Sequence, residues 1–371
     1  MSIKVWDYMR EFEQERADIF EGLEKVFRSG RLILGESVKN FEHDFAAYCG
    51  VKYGIGVDNA TNGLFLALKA LGIGAGDEVI TVANTAVPTV AAITAAGATA
   101  RFVDILPGTC LMNTGQLAAA ITPRTRCLMP VHLYGQCVDM EAVRAIAQSR
   151  GLKIVEDASQ SHGARQHGKR AGSLSDCGVF SFYPTKPLGA YGDGGIVITD
   201  SEAIDHQLRR LRFYGMENVY YAEESGYNSR LDEIQAEILL RKLKRLEGYL
   251  LRRREIARRY DAALSGTSLA LPQVAPGNEH VYYLYVVRHP ERDRIIAELA
   301  KREILVNICY PWPIHTMRGY ASLGYREGDL PETEAAARQV FSLPLYPTLT
   351  DAQQDTVCRA LGEILGEPVR L

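Results

Sequence analysis

Short apolar runs alternate with helix-like segments between residue 59 and about residue 200. Six runs, many of them rich in β-branched residues, have the length of buried strands: 79–82, 100–104, 127–131, 153–157, 178–182 and 195–199. Between them lie amphipathic segments such as NGLFLALKAL, which places Leu64, Ala67, Leu68 and Leu71 on one helix face. This alternation predicts an α/β domain with a mostly parallel central sheet sandwiched by helices.

The C-terminal part has a different pattern. Residues 230–263 form one long amphipathic stretch without proline, which predicts a single helix linking two domains. Prolines and a glycine follow, then a strand-like stretch at 280–289 and a helix around 291–302. We therefore predict a large domain over residues 1–250, including the N-terminal segment, and a smaller α+β domain over 251–371.

Composition excludes several classes of function. The 42 Lys and Arg against 45 Asp and Glu leave a charge of −3, so no global field attracts nucleic acid or a membrane. The odd number of cysteines and the absence of a C-x-x-C pair favour reduced thiols over disulfides or a metal site. Neither a signal peptide nor an apolar run of spanning length is present, which predicts a soluble, cytoplasmic protein.

Two groups with chemical potential fall at predicted strand ends. Asp157 ends the run KIVED, and Lys186 lies four residues beyond the run GVFSF, within FSFYPTKPLGAYGDGG. In open α/β sheets, ligands collect at the carboxyl ends of the strands. A carboxylate and an amine there are either part of a binding site or a simple ion pair.

A third feature separates these two interpretations. The turn VDNATNG, residues 57–63, runs into a predicted helix whose first N–H groups suit a phosphate, with hydroxyl donors from Thr61 and Ser181. By itself, the turn is equally a helix cap. A phosphate cradle, a carboxylate and an amine together meet the needs of pyridoxal 5'-phosphate (PLP), which requires a lysine amine, an anionic partner for its ring nitrogen and an anion site. The glycine-rich GIGAGD at 72–77 lacks dinucleotide-binding spacing and is predicted to be a loop.

Four motifs carry a resemblance to a known family: VHLYGQ, VEDASQSHGA, GVFSFYPTKPLGAYGDGG and NSRLDEIQA. Together they resemble the DegT/StrS family of PLP-dependent sugar aminotransferases, of fold type I, and the likeness runs from about Gly35 to Pro347. The resemblance implies that Lys186 joins the cofactor covalently, that Asp157 pairs with its ring nitrogen, and that Gln160 donates to its phenolic oxygen.

The resemblance also implies a shared site. Ser181, Ala60 and Thr61 would hold the phosphate, and Asn228 would reach the phosphate of a second subunit, so that sites are complete only in a homodimer. Many relatives stack an aromatic ring on the cofactor where this sequence has Ala86. His162 is one candidate to replace that ring, and a local hydrogen-bonding role is the alternative. Pro187 stands where relatives often carry Asn, which affects the loop geometry.

Other positions have two interpretations each. By family analogy, Tyr183, Arg230, Tyr310 and His315 are substrate contacts, and for each the alternative is a packed loop residue. His132 and Tyr134 either shape the loop after a strand or contact the ligand.

The resemblance implies transfer of an amino group from L-glutamate to a nucleotide-linked keto-sugar, in particular a dTDP-3-keto-6-deoxyhexose. Amination at carbon 4, or of a keto-cyclitol, uses the same machinery. A PLP-dependent sugar dehydratase would have histidine in place of Lys186. A non-catalytic regulatory or binding protein is the alternative from another class, because fold alone does not decide function.

Overall fold

The computed structural model describes residues 2–218 and 220–370. The α-helices in this part are α1 Tyr8–Ser29, α2 Glu36–Cys49, α3 Ala60–Ala70, α4 Val87–Ala95, α5 Leu117–Ala120, α6 Met140–Arg150, α7 Glu202–Leu211, α8 Glu233–Leu243, α9 Leu246–Leu264, α10 Arg292–Lys301, α11 Pro331–Gln339 and α12 Asp351–Leu365. The strands are β1 Tyr53–Val57, β2 Glu78–Val82, β3 Thr99–Val103, β4 Thr125–Leu128, β5 Lys153–Asp157, β6 Arg165–Gln166, β7 Lys169–Arg170, β8 Cys177–Ser181, β9 Gly195–Thr199, β10 Met216–Asn218, β11 Tyr221–Ala222, β12 Asn278–Glu279, β13 Tyr285–Arg288 and β14 Val340–Leu343. Short 3₁₀ helices cover Thr114–Gln116, Leu133–Gly135, Ile314–Thr316 and Arg318–Leu323.

Seven strands form the main sheet in the order β1-β9-β8-β5-β4-β2-β3. The pairs from β8 through β3 are parallel, whereas β9 is antiparallel to both of its neighbours, β1 and β8. Because β1 and β8 are both antiparallel to β9, the other six strands of this sheet all run in the same direction. The predicted α/β fold with a mostly parallel sheet is confirmed.

The sheet is covered on both faces because alternate residues of its strands point to opposite sides. Val179 of β8 and Val197 of β9 belong to the apolar cluster of α3 and α4. Phe180 of β8 and Ile196 of β9 belong instead to the cluster of α2 and α8. Burying a side chain as large as Phe180 contributes about 1.5–3 kcal/mol, so the packing on both faces holds the strand ends in place.

The six predicted strands all form, with small shifts of their ends. Lys153–Asp157 and Gly195–Thr199 have the predicted bounds, whereas the run predicted over 127–131 is the strand Thr125–Leu128. The edge strand Tyr53–Val57 was not predicted. Its sequence YGIGV contains two glycines, which weaken the β-branched signal by which strands are found.

The prediction of one helix over 230–263 was wrong. The chain forms α8 and α9, with a turn between them in which the Arg245 N–H donates to the Lys242 carbonyl at 3.0 Å. The turn lets α8 pack against α1 and α2 while α9 buries Ile256 and Tyr260 in the C-terminal core. Since the turn contains neither proline nor glycine, the amphipathic pattern continues through it and hides it.

The C-terminal part has its own core around the antiparallel pair β13 and β14. Of the strand-like stretch predicted at 280–289, only Tyr285–Arg288 is a strand, and the helix predicted around 291–302 is α10. The domain boundary proposed at residue 250 falls inside α9. Leu250 packs with the core beneath the main sheet, whereas Ile256 packs in the C-terminal core.

All seven cysteines are free and buried: Cys49, Cys110, Cys127, Cys137, Cys177, Cys309 and Cys358. Burial raises the pKa of Cys309 to about 11 and that of Cys358 to about 12, so these thiols stay protonated.

Over the described ranges, no helix combines the length and apolarity needed to cross a bilayer. The same ranges contain no group of three or more His, Cys, Asp or Glu side chains arranged to hold a metal ion.

Candidate active site

A cavity of about 470 Å³ lies at the carboxyl ends of β5 and β8, beside the start of α3. Its walls come from five parts of the chain: 59–64, 85–89, 131, 157–160 and 181–193. Each part follows a strand of the main sheet, which is why residues distant in sequence meet at one edge.

Asp157, the last residue of β5, is held by hydrogen bonds to both of its carboxylate oxygens. The Thr89 hydroxyl donates to Oδ2 at 2.8 Å, and the Ser159 N–H donates to Oδ1 at 3.2 Å. Because Thr89 donates to Asp157, it accepts from the Thr85 hydroxyl, whose oxygen lies 2.9 Å away. Asp157 is buried. These bonds fix the orientation of the carboxylate.

The start of α3 forms another wall. Asn59 caps the helix by accepting a 2.9 Å hydrogen bond from an N–H of its first turn. Ala60 and Thr61, the first two residues of α3, have N–H groups without intrahelical partners, and both line the cavity. Ser181 pairs with Gly195 in the sheet, and a Cβ on Gly195 would lie only 2.7 Å from the Ala60 nitrogen. Glycine there lets β9 pass close to the helix start, and Ser181 lines the same cavity as Ala60 and Thr61.

Lys186 lines the cavity from the loop after β8. Its amine is 4.4 Å from the ring centroid of Tyr283, a cation–π contact. The Tyr283 hydroxyl is 3.0 Å from the hydroxyl of Thr185, the residue before the lysine. Lys186 and Asp157 do not form an ion pair in the described structure, so the simple ion-pair interpretation is wrong.

The backbone at Tyr283 is held in place by Arg253. The buried Arg253 side chain donates through Nη1 to the Tyr282 and Tyr283 carbonyls, both at 3.3 Å, and to the Leu345 carbonyl at 3.1 Å. Burial lowers the pKa of Arg253 to about 10, which still leaves it charged at neutral pH. The cation therefore anchors the backbone that carries the ring beneath Lys186.

Gln160 links the cavity to the C-terminal part of the chain. Its carbonyl accepts from the Tyr134 N–H at 2.8 Å, and its amide donates to the Tyr310 hydroxyl at 3.0 Å. Tyr310 does not line the cavity but contacts it through Gln160.

His132 is fully buried, with Nε2 2.7 Å from Glu156 and Nδ1 accepting from the Val138 N–H at 3.1 Å. His132 and Tyr134 therefore shape the loop after the strand, which is one of the two roles predicted for them.

Ala86 and Tyr183 both line the cavity. Tyr183 is 54% exposed, so its hydroxyl is free to meet a substrate.

His162 does not line the cavity. It packs behind β8 among Phe45, Phe180 and Phe182, with ring centroids 5.2–6.4 Å apart. The suggestion that His162 replaces the missing aromatic ring is therefore wrong.

The remaining predicted residues lie away from this chain's own cavity. Asn228 is exposed, and the Arg230 guanidinium lies over the rings of Phe213 and Tyr214 at 5.3 and 5.5 Å. His315 is buried and bonded to Glu334 at 3.0 Å, and it lines a second cavity. A single chain thus unites Lys186 with the predicted cofactor contacts except Asn228, and of the predicted substrate contacts only Tyr183 lines the cavity.

Sequence reasoning missed three contributors. Thr85 and Thr89, four residues apart at the start of α4, carry the hydroxyl chain to Asp157. Their spacing is a weak signal because threonine is common at helix starts. Tyr283 lies in a stretch that was predicted to be a strand, and nothing local connects it with Lys186.

The donor set fits PLP. An amine lies where an aldehyde can be captured, a fixed carboxylate faces the same cavity, and free helix N–H groups with two hydroxyls form an anion site. If PLP binds in this cavity, Lys186 would meet the aldehyde, Asp157 the ring nitrogen, and Ala60, Thr61 and Ser181 the phosphate.

Comparison with known proteins is consistent with this geometry. The sequence model of the DegT/DnrJ/EryC1/StrS aminotransferase family matches residues 13–362. A dTDP-3-amino-3,4,6-trideoxy-alpha-D-glucose transaminase of Micromonospora megalomicea subsp. nigra is 55% identical, covering 98% of this chain and 99% of the relative. A pleiotropic regulatory protein of Geobacillus stearothermophilus is 43% identical, covering 98% of each.

Solved structures are also similar. S. venezuelae DesV in complex with a ketimine intermediate has a TM-score of 0.96 and 42% identity, covering 98% of each chain. NtdA from Bacillus subtilis, with bound cofactor PMP, has a TM-score of 0.89 and 32% identity, covering 95% of this chain and 82% of that one.

Proposed function

The chain belongs to the DegT/DnrJ/EryC1/StrS aminotransferase family, whose members use PLP, and from this premise we propose that it aminates carbon 3 of a dTDP-linked 3-keto-6-deoxyhexose, with L-glutamate as donor. The observation that carries the proposal is the convergence of the Lys186 amine, the Asp157 carboxylate and the start of α3 on one cavity. The choice of carbon 3 rests on the transaminase of M. megalomicea, whose named product bears its amino group there.

The cofactor, when bound, supplies an aldehyde that condenses with amines and a ring that draws electrons from a breaking C–H bond. The chain supplies the rest. With PLP bound, the Lys186 amine would act as the base that takes the donor's α-proton and as the acid that returns a proton. Asp157, whose carboxylate is fixed by Thr89 and Ser159, would pair with the ring nitrogen of the cofactor.

The second copy of the chain belongs to the same proposal. Asn228 and Arg230 lie outside their own cavity, and the exposed Tyr214 ring lies 5.5 Å from the Arg230 guanidinium. Tyr220 and Tyr221, a few residues further along the chain, are also exposed. A cluster of exposed aromatic residues favours a protein interface. We propose that Asn228 completes the phosphate site of a partner subunit and that Arg230 contacts the partner's substrate, in a closed two-fold dimer.

A screen tests the proposed function. Protein charged with L-glutamate is presented separately with dTDP-linked 3-keto and 4-keto sugars and with a keto-cyclitol, and the product mass and aminated carbon are determined. We expect a 3-amino product. Amination of only the 4-keto sugar or only the cyclitol would show that the proposed substrate is wrong.

The same preparation addresses the non-catalytic alternative. Purified protein should absorb visible light through its cofactor, and the absorption band should shift when L-glutamate is added. Protein that remains colourless with PLP present would favour the regulatory alternative.

A further inference from the structure

Asp58 lies between β1 and the start of α3, and its carboxylate is hydrogen-bonded on both oxygens. Oδ2 accepts from the Asn62 side-chain amide at 2.7 Å, and Oδ1 accepts from the Asn59 N–H at 3.1 Å. Asn59 in turn caps α3 by accepting the Asn62 N–H at 2.9 Å. These three residues therefore form one hydrogen-bonded unit around the helix start at which Ala60 and Thr61 offer their N–H groups to the cavity.

The same carboxylate makes a contact with a distant part of the chain. The Ser229 hydroxyl donates to Asp58 Oδ1, although the two residues are 171 positions apart in the sequence. Ser229 is 1% exposed, and its neighbours Asn228 and Arg230 are the residues proposed above to reach a partner subunit. Within residues 2–218 and 220–370, Asp58 has no ion-pair partner. Its charge is therefore balanced there only by hydrogen-bond donors, one of which belongs to the Asn228 segment.

A second link joins the Asn228 segment to β1. The Ser229 N–H donates to the Arg212 carbonyl at 3.0 Å, and Asn228 forms an antiparallel bridge with Phe213. The Arg212 guanidinium, which is 5% exposed, donates to the Gly56 carbonyl of β1 at 2.7 Å. Both sides of the bridge are thus fixed to β1 or to the turn that follows it. The Asn228 segment and the phosphate cradle therefore form one structural unit.

The charge of Asp58 is unfavourable for the anion site that it precedes. A carboxylate two residues before Ala60 repels a phosphate, whereas a neutral asparagine or serine is also well suited to such a turn. The charge does strengthen the bond from Ser229, because a hydrogen bond to an ionised group is about twice as strong as one between neutral groups. The residue at position 58 therefore favours the link to Ser229 over affinity for the phosphate.

We propose that Asp58 is a positioning residue that holds Asn228, through Ser229, in place for the partner subunit's phosphate and so couples the two cofactor sites of a dimer. This inference rests on the proposed function, specifically on the shared phosphate site. Phosphate bound at the start of α3 restrains Asp58, and the restraint reaches Asn228, which contributes to the other site. By two-fold symmetry the same link runs in the opposite direction, so binding at each site strengthens binding at the other.

Calorimetric titration of the full-length apoprotein with pyridoxamine 5'-phosphate (PMP) tests the coupling. PMP carries the cofactor's phosphate but has an amine in place of the aldehyde, so it binds reversibly without a covalent bond to Lys186. We expect the second PMP to bind about tenfold more tightly than the first, which corresponds to a Hill coefficient of about 1.5.

Two variants break the link in different ways. Ser229→Ala leaves Asp58 bonded to Asn59 and Asn62, and it should weaken the second binding step about tenfold and lower the Hill coefficient to about 1. Asp58→Asn should also lower the Hill coefficient, but its first PMP should bind at least as tightly as in the wild type, because a like charge has left the anion site. Ser225→Ala, at an exposed serine of the same segment, is the matched control and should change neither step.

The outcomes separate this inference from the proposed function. If Asn228→Ala weakens PMP binding but Ser229→Ala keeps the wild-type Hill coefficient, the site is shared without coupling through Asp58, and the inference is overturned. Equal weakening of both steps in Ser229→Ala would also overturn it. If Asn228→Ala binds PMP as the wild type does, the shared site is wrong and the inference falls with it, whereas the amination screen still decides the substrate. Thermal unfolding of each variant excludes misfolding as the cause.

Discussion

The two cavities present their charged groups in opposite ways. In the catalytic cavity, Asp157 is buried at a strand end and hydrogen-bonded on both oxygens, and Lys186 lies over the anchored ring of Tyr283. In the second cavity, Arg318 and Arg338 extend from a short 3₁₀ helix and the end of α11, exposed and without ion-pair partners in the described structure. One site holds its charges in fixed positions, and the other leaves them adjustable.

This difference corresponds to two tasks. Proton transfer requires groups fixed to within a fraction of an ångström, and rigid strand ends with hydrogen-bonded neighbours provide that order. Exposed arginines without ion-pair partners can instead adjust to the groups that they meet. Changes in the first cavity should therefore reduce kcat.

The largest effect is expected for Lys186→Ala. Removal of the amine should reduce turnover by roughly 10³-fold or more, because the proposed mechanism gives every proton transfer to this one group. Borohydride reduction of the wild-type holoenzyme, followed by peptide mapping, should find the cofactor on residue 186. Lys169→Ala, an exposed lysine on β7, is the control and should keep full activity. A label on any other lysine would refute the assignment.

Asp157→Asn should reduce kcat by about 10²-fold, which is typical for the loss of one preorganised electrostatic partner. The amide keeps the size of the carboxylate and can still accept from Thr89, so the fold should be unchanged. Stopped-flow measurement of the glutamate half-reaction gives the rate. Asp139→Asn is the matched control because asparagine caps α6 as well as aspartate does. Wild-type kcat in Asp157→Asn would remove Asp157 from the chemistry.

Two buried histidines extend the comparison to stability. His315, beside the second cavity, has Glu334 as its partner, whereas both ring nitrogens of His162, behind the catalytic cavity, are unpartnered within the described part of the chain. Burial, together with the nearby charge of Lys186, lowers the pKa of His162 to about 3. Below about pH 6.5, the unfolded chain binds a proton that the folded chain does not.

Stability should therefore fall as the pH falls from about 6.5 towards 3, and His162 should account for about 1.4 kcal/mol per pH unit over most of that window. His162→Phe should reduce the slope of unfolding free energy against pH by that amount, measured by denaturant titration. His280, whose pKa burial also lowers to about 3, remains in both proteins and contributes equally. His43→Phe, at an exposed site, should leave the slope unchanged. An unaltered slope in His162→Phe would contradict the prediction.

The smallest effect is expected at Tyr283. Tyr283→Leu removes the ring beneath the Lys186 amine and should lower kcat by about threefold to tenfold, the usual range for one cation–π contact. Tyr283→Phe keeps the ring and should recover most of the loss. The rate at which apoprotein captures PLP, followed by absorbance, should change in the same order. Equal rates in the two variants would assign Tyr283 a purely structural role.

Local patterns explain which site residues were predictable. Lys186 and Asp157 each follow a strand-like run, and Ala60 and Thr61 begin a helix after a turn, so their shared position at the strand ends followed from general rules of α/β sheets. Thr89 was not predictable, because its bond to Asp157 depends on how α4 lies across the sheet. The break between α8 and α9 was missed because no proline or glycine marks it.

The amino-acid sequence alone determined the alternating fold, the cofactor and the placement of Lys186 and Asp157 at strand ends, because these depend on short-range periodicity and on motifs of a few residues. Only the tertiary structure decided that His162 is in the core, that Tyr283 lies under Lys186, and that His315 lines a second cavity. Each of these depends on contacts between segments far apart in the chain. Such contacts are selected by the packing of the whole core, and no local pattern encodes them.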